Sequence, residues 1–254
     1  MRHQLDILGN ALDSLDEGLR QYEQAYSGGR HAYKFAVLLF AHFAELLLKH
    51  AVAQQHRLLI YKNPSARKLE QEPTVGMWEC LNILRNAGFK LEDKLIADLE
   101  WLKRLRNQIE HYSFDMDVRE VRAALGRALR ATVTFASLVG VDPLDRYLSE
   151  AGKRTFQRLL DEYQESIANA EADAKEEAGE NLVFDCGICG LDYKTAVEKY
   201  DGVYCHLCRR TDEMQICHIC DEWNRESYMY ETEDEWDLTV YECLECSENP
   251  FVKS

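Results

Sequence analysis

The residues whose spacing promises chemistry most plainly are cysteines. Eight of the nine lie beyond residue 185 as four Cys-x-x-Cys pairs: Cys186/Cys189, Cys205/Cys208, Cys217/Cys220 and Cys243/Cys246. Two thiolates three residues apart can converge on one ion, and two such turns complete a tetrahedron of sulfur. The first two pairs are separated by 15 residues and the last two by 22, so eight ligands suit two Zn²⁺ ions. Four sulfurs per ion leave no open coordination position, so both sites read as structural. Sequential pairing joins Cys186/Cys189 to Cys205/Cys208 and Cys217/Cys220 to Cys243/Cys246. The cross-braced alternative joins first to third and second to fourth. Sequential pairing is favoured because each half carries its own hairpin signal, in Gly202-Val203-Tyr204 and Leu238-Thr239-Val240-Tyr241.

Cys186-Gly-Ile-Cys189-Gly190 resembles a rubredoxin-type knuckle, which makes iron an alternative occupant. Disulfides are the other alternative, and the two-residue spacing speaks against them. His206 and His218 lie inside knuckles and read as bystanders rather than ligands. Eight thiolates on two Zn²⁺ would add a charge of about -4 to an already acidic segment. Tyr228, Tyr230 and Trp236, set among acidic residues, either offer a surface to a protein partner or pack the small ribbon cores.

A second constellation closes an earlier helix-like segment: Leu105-Arg106-Asn107-Gln108-Ile109-Glu110-His111-Tyr112. Histidine moves protons near neutral pH. Arginine offers a fixed cation with several donors to a phosphate and to the charge that develops on it. On an ideal helix Arg106 and His111 lie about 140° apart, whereas Asn107 and His111 share a face with Glu100, Lys103 and Arg104. Such a set suits phosphodiester cleavage. The competing reading is a helix-end pair that caps carbonyls or binds Glu110 and Asp115.

Arg-Asn-x-x-x-His at the end of a helix resembles the HEPN superfamily (higher eukaryotes and prokaryotes nucleotide-binding). His42-Phe43-Ala44-Glu45-Leu46-Leu47-Leu48-Lys49 resembles the Glu-Leu-Leu-Leu-Lys stretch common in the second helix of those domains. The likeness covers about residues 1–142. It implies a metal-independent endoribonuclease in which two motifs meet across a homodimer and an RNA 2′-hydroxyl attacks the adjacent phosphate. Carried over, it makes His111 the acid/base, Arg106 the phosphate-binding cation, Asn107 an orienting group and Glu45 a support for the arginine or histidine. It also implies a toxin or anti-phage defence role. Ser113 stands where toxins paired with nucleotidyltransferase antitoxins carry tyrosine, which sets this chain apart from that subgroup. Some HEPN domains bind nucleotides or partners without cutting, so a noncatalytic dimerisation scaffold is the alternative.

The elements that must position these residues follow from hydrophobic periodicity. Apolar residues at three- and four-residue steps predict an all-α bundle over 1–142. Its helices span Leu5 to Leu19 and on to Ser27-Gly28-Gly29, His31 to Tyr61, Trp78 to Asn86, Glu92 to Tyr112, and Val118 to Val139. The third is bounded by Gly88 and a loop at 62–75. Residues 143–180 predict a connecting helix with a solvated acidic end, about 55 Å long if continuous at ~1.5 Å per residue. Residues 181–254 predict a small Cys-rich zinc-binding β-ribbon domain holding both four-cysteine sites.

The chain has 254 residues, 46% hydrophobic and 30% charged, with a formal charge of -15. Residues 1–160 carry net +3 and residues 161–254 net -18, so the acidity belongs to the C-terminal part. That part is a poor nucleic-acid reader and fits a protein partner, while the nearly neutral helical part can approach RNA. Phe35 to Ala53 reaches the length of a membrane span, but His42, Glu45, Lys49 and His50 point to a buried helix. The opening MRHQLDILGN has no signal-peptide pattern, and a cytoplasmic location is expected. Cys80 reads as a core thiol, and His31, His42, His50 and His56 show no metal spacing.

Overall fold

The computed structural model describes residues 6–29, 31–111, 118–187, 191–199, 202–233 and 239–248. It divides into two compact units, residues 1–163 and 164–254. The first is helical and the second is a Cys-rich antiparallel β unit, as the sequence predicts in outline.

In the N-terminal unit, α1 (Ile7–Tyr26) starts at Asp6, whose carboxylate accepts the Gly9 N–H at 2.6 Å. α2 (Ala32–Gln55) packs along it. Gly18 permits the approach, since a Cβ there would sit 2.9 Å from the Phe40 ring. α2 is the one described helix apolar and long enough to cross a membrane, with mean hydropathy 1.6. Its apolar positions are spent on the core: Ala36, Val37, Phe40, Phe43, Ala44, Leu47, Leu48 and Ala51 are all at most 1% exposed. Their three- and four-residue steps are those of a helix buried by its neighbours.

α2 ends at Gln55, earlier than Tyr61. His56 turns extended, and its Nδ1 accepts the Leu58 N–H at 3.3 Å, starting a 3-10 turn over Arg57–Ile60. A bridge between Tyr61 and Thr74 then closes the 62–75 loop. α3 (Met77–Asn86), α4 (Asp93–His111) and α5 (Val118–Leu138) complete the bundle. Leu95, Ile96, Leu99, Leu102 and Ile109 of α4 are all buried, which leaves its polar stripe outward. Asp98, 1% exposed, binds Arg127 and, at 2.6 Å, Arg130 of α5, so a charged triad locks α4 in rotation.

α6 (Glu150–Ala178) lies within the segment expected as a connecting helix. Pro143 is followed by a 3-10 turn at Leu144–Tyr147, and Ser149 caps α6 by accepting the Gly152 N–H at 3.0 Å. Phe156 and Leu159 belong to the N-terminal core, because their apolar stripe meets the bundle rather than solvent. Gly126 of α5 lies against Tyr163 so closely that a Cβ would come within 2.5 Å of its side chain. Only after Tyr163 does the helix pass to the second unit.

In that unit the sheet runs β1 (Phe184–Cys186), β2 (Leu191–Lys199), β3 (Gly202–Cys205), β4 (Thr211–Ile216) and β5 (Trp223–Arg225), a continuous antiparallel meander. β6 (Met229–Glu233) and β7 (Thr239–Cys243) form a separate pair, followed by α7 (Leu244–Glu248). Two small ribbons were expected, and β4 links them, its residues 211–213 pairing with β3 and its residues 214–216 with β5. The predicted runs at 202–204 and 239–241 are strands, and Leu238 lies outside the described residues.

Candidate functional site

Within the helical unit, α2, α3, α4 and the 62–75 loop enclose an open cleft of about 430 Å³. Arg106 and Asn107 from the last turns of α4 line it, with Glu45 from the middle of α2. The Arg106 Nη1 donates to Glu45 at 2.9 Å, and its Nε donates to Glu110 at 3.2 Å. Two carboxylates thus set the plane of the guanidinium. Glu45 also accepts from Lys49 at 2.6 Å, and Lys49 in turn reaches the Thr74 hydroxyl at 2.9 Å. Burial alone would raise the Glu45 carboxyl, but Lys49 and Arg106 together hold it below its usual value.

Three of the four predicted residues therefore meet at one place. His111 ends α4, and its side chain lies outside the described residues, as do Tyr112, Ser113 and Asp115. Of the expected polar face, Lys103 lines the cleft and Arg104 is exposed. Lys62, Trp78 and Glu79 also line the cleft. Nothing in the local pattern marks them, because they reach the cleft through tertiary packing of a loop and a different helix. Cys80 is buried in the core, and burial pushes its thiol up to about 12, which fits a core role. His42 meets the Ser14 hydroxyl at 2.9 Å, and burial lowers its pKa.

In the C-terminal unit the Sγ atoms of Cys217, Cys220, Cys243 and Cys246 all lie within 4.8 Å of one another. Cys186, Cys205 and Cys208 form a second such group, and Cys189 lies outside the described residues. The pairing is sequential. Two close contacts, Cys186 to Cys208 and Cys220 to Cys243, measure 3.7 and 3.9 Å. A tetrahedron with metal–sulfur bonds near 2.3 Å has edges of about 3.8 Å, and a disulfide needs about 2.05 Å. The spacing fits a shared cation, and the described cysteines form no disulfide.

No family model matches this chain, and no curated protein or solved structure does. What the sites can do therefore rests on their own geometry.

The two knuckles that carry histidine are built alike. Cys205-His-Leu-Cys208 and Cys217-His-Ile-Cys220 are each followed by a residue in the left-handed region, Arg209 (φ 57°) and Asp221 (φ 58°). The Arg209 and Asp221 N–H groups donate to the carbonyls of Cys205 and Cys217 at 2.8 and 2.9 Å. The repeated Cys-His-x-Cys spacing was the signal for this duplication. His206 and His218 stand apart from the sulfur groups and face carboxylates, Glu177 at 2.9 Å and Glu242 at 3.5 Å. At Cys217, burial alone would raise the thiol. Backbone N–H groups of Cys243, Cys220 and Ile219 outweigh it and bring the value to about 6. Its neighbour Cys246 is pushed up, chiefly by the side chain of Cys243. Thiols this close cannot all ionise alone, and a dication among them allows it.

Proposed function

We propose that the helical unit is a metal-independent endoribonuclease of the HEPN type, acting as a homodimer, and that the C-terminal unit holds two structural Zn²⁺ ions. What supports the nuclease reading is one observation: Glu45 of α2, 61 residues away in sequence, converges with Arg106 and Asn107 of α4 on an open cleft. In this reading Arg106 binds the scissile phosphate and the charge that develops on it. Glu45 fixes the orientation of Arg106, and Asn107 orients the reacting groups. His111, at the end of the same helix, moves the protons. The 2′-oxygen bonds to phosphorus, the bond to the 5′-oxygen breaks, and that oxygen leaves with a proton. The zinc reading is supported by the all-sulfur ligand set and its 3.7 and 3.9 Å contacts. With net -18 over residues 161–254, the acidic unit serves a protein partner or restrains the nuclease rather than gripping RNA. Regulated cleavage of this kind suits a toxin or anti-phage effector in the cytoplasm.

One observation favours a second reading, a noncatalytic dimerisation scaffold. Arg106 is already engaged by Glu45 and Glu110, as a structural ion pair would be. The test compares wild type with His111→Ala on mixed RNA in EDTA, with matched samples lacking EDTA because chelation can strip the zinc unit. Both proteins are first shown to be folded dimers. Cleavage by wild type alone supports the nuclease. Intact RNA in every arm, and after deletion of the zinc unit, supports the scaffold.

A further inference from the structure

We propose that Trp78 and Lys103, with Lys62, form a subsite that seats one nucleotide of a single-stranded RNA beside Arg106. The proposal rests on the nuclease reading for what happens at the neighbouring phosphate, but the binding it describes is separable from cleavage.

Trp78 lies in the first turn of α3, half-buried, where Gly76 opens the helix and the Glu79 carboxylate accepts the Gly76 N–H at 2.6 Å. Its indole lines the cleft, and the Lys103 ammonium lies 5.5 Å from the ring centroid. Trp101, by contrast, is paired with the buried Arg127 at 5.6 Å and does not line the cleft. The cleft thus offers an aromatic ring with a cation over its face, next to a second cation and an amide, Arg106 and Asn107. Lys62 approaches from the loop, and its 3.8 Å pair with Glu79 joins side chains that are each about half exposed. A pair that open contributes little, so a phosphate can take the lysine from Glu79. The lining carries three cations against two carboxylates, in a chain whose formal charge is -15.

Size selects the substrate class. About 430 Å³ accommodates one nucleotide, within the range of roughly 300–1,000 Å³ usual for small-molecule sites. A duplex does not enter, whereas an unpaired base can turn in and take the place of the Lys103 ammonium over the indole, while that ammonium and Lys62 meet its phosphate.

The experiment measures fluorescence anisotropy of a labelled 2′-O-methyl RNA decamer, which cannot be cut by its own 2′-oxygen, with the full-length protein. Trp78→Ala should weaken binding about 5- to 150-fold, the range for loss of one stacked base. Trp78→Phe should retain most affinity. Trp78→Leu keeps apolar volume without an aromatic face and should behave like alanine even where alanine perturbs packing. Lys103→Ala should flatten the dependence of log affinity on log salt by about 0.7. Affinities of Trp78→Leu and Lys103→Ala within twofold of wild type would overturn the subsite. AMP displacing the decamer at comparable affinity would overturn the strand and make the ligand a free nucleotide. If Trp78→Leu binds normally while His111→Ala abolishes cleavage, the subsite fails and the nuclease stands. If decamer binding depends on Trp78 yet no RNA is cut, the nuclease fails and the subsite stands as a binding groove.

Discussion

Glu45→Gln keeps the size of the side chain and removes the charge that joins α2 to α4. Glu45 is bonded to Lys49 at 2.6 Å and to Arg106 at 2.9 Å, and the three side chains are 21%, 13% and 36% exposed. A charge-assisted hydrogen bond contributes about 1.5–3 kcal/mol and a neutral one about 0.5–1.5, so neutralising the acceptor costs about 1 kcal/mol per bond. Lys49 is well shielded and its share is about 1–1.5 kcal/mol, whereas solvent screening cuts that of Arg106 to about 0.5. The expected loss is about 2 kcal/mol at pH 7, or about 4–8 °C in Tm for a unit of this size. The pH dependence has a fixed sign. The folded pKa of Glu45 lies below its unfolded value of about 4.3, so its contribution is complete above about pH 5 and is lost as pH falls through the folded value. Urea melts followed by circular dichroism at 222 nm, which reports chiefly the helices, should show the wild-type advantage shrinking from pH 7 to pH 3.5. A difference below about 0.5 kcal/mol at pH 7, or one undiminished at pH 3.5, would refute the reasoning.

Asp98→Ala should cost about 3–5 kcal/mol by leaving Arg127 and Arg130 without the buried carboxylate they share, measurable in the same melts. Purified protein should carry two zinc ions per chain with sulfur shells near 2.3 Å by X-ray absorption, and Cys217→Ser should reduce the content to one. Asp212→Ala should lower stability by about 1–3 kcal/mol at fixed zinc concentration, seen as a lower Tm of the C-terminal unit. Asp212 is 3% exposed and accepts both the N–H and the hydroxyl of Ser227, at 3.0 and 2.5 Å.

Helices with one apolar stripe, such as α4, were legible from spacing alone, because Leu95, Leu99, Leu102 and Ile109 repeat at helical steps. Their ends were less so. α2 stops at Gln55 because the His56 side chain captures a backbone N–H, a local competition that hydrophobicity does not register. The stripe through Phe156 and Leu159 was legible at 143–180, but not that these two serve the first core, because spacing does not say which neighbour covers a stripe. In the C-terminal unit the cysteine groups followed from spacing. The meander through β4 did not, since Thr211–Ile216 carries a mixed pattern that only its two partners resolve. At the cleft, Arg106, Asn107 and Glu45 came from short motifs. Lys62 and Trp78 did not, because a loop and a separate helix bring them there. Trp223, 62% exposed opposite Ile216, is an exposed aromatic beyond the three suggested by sequence, Tyr228, Tyr230 and Trp236. Of those, Tyr230 is 50% exposed, while Trp236 and the Tyr228 side chain lie outside the described residues.

The central claim is attack by an RNA 2′-hydroxyl at the Arg106 cleft, and the chemistry of the product ends tests it most directly. A defined single-stranded RNA and its 2′-O-methyl counterpart would be incubated with the folded wild-type dimer and with Arg106→Ala, and the fragments read by mass spectrometry. The account predicts 2′,3′-cyclic phosphate and 5′-hydroxyl ends from the RNA with wild type only, and an intact 2′-O-methyl strand. Fragments ending in 3′-hydroxyl, cleavage of the 2′-O-methyl strand, or equal cleavage by Arg106→Ala would contradict it.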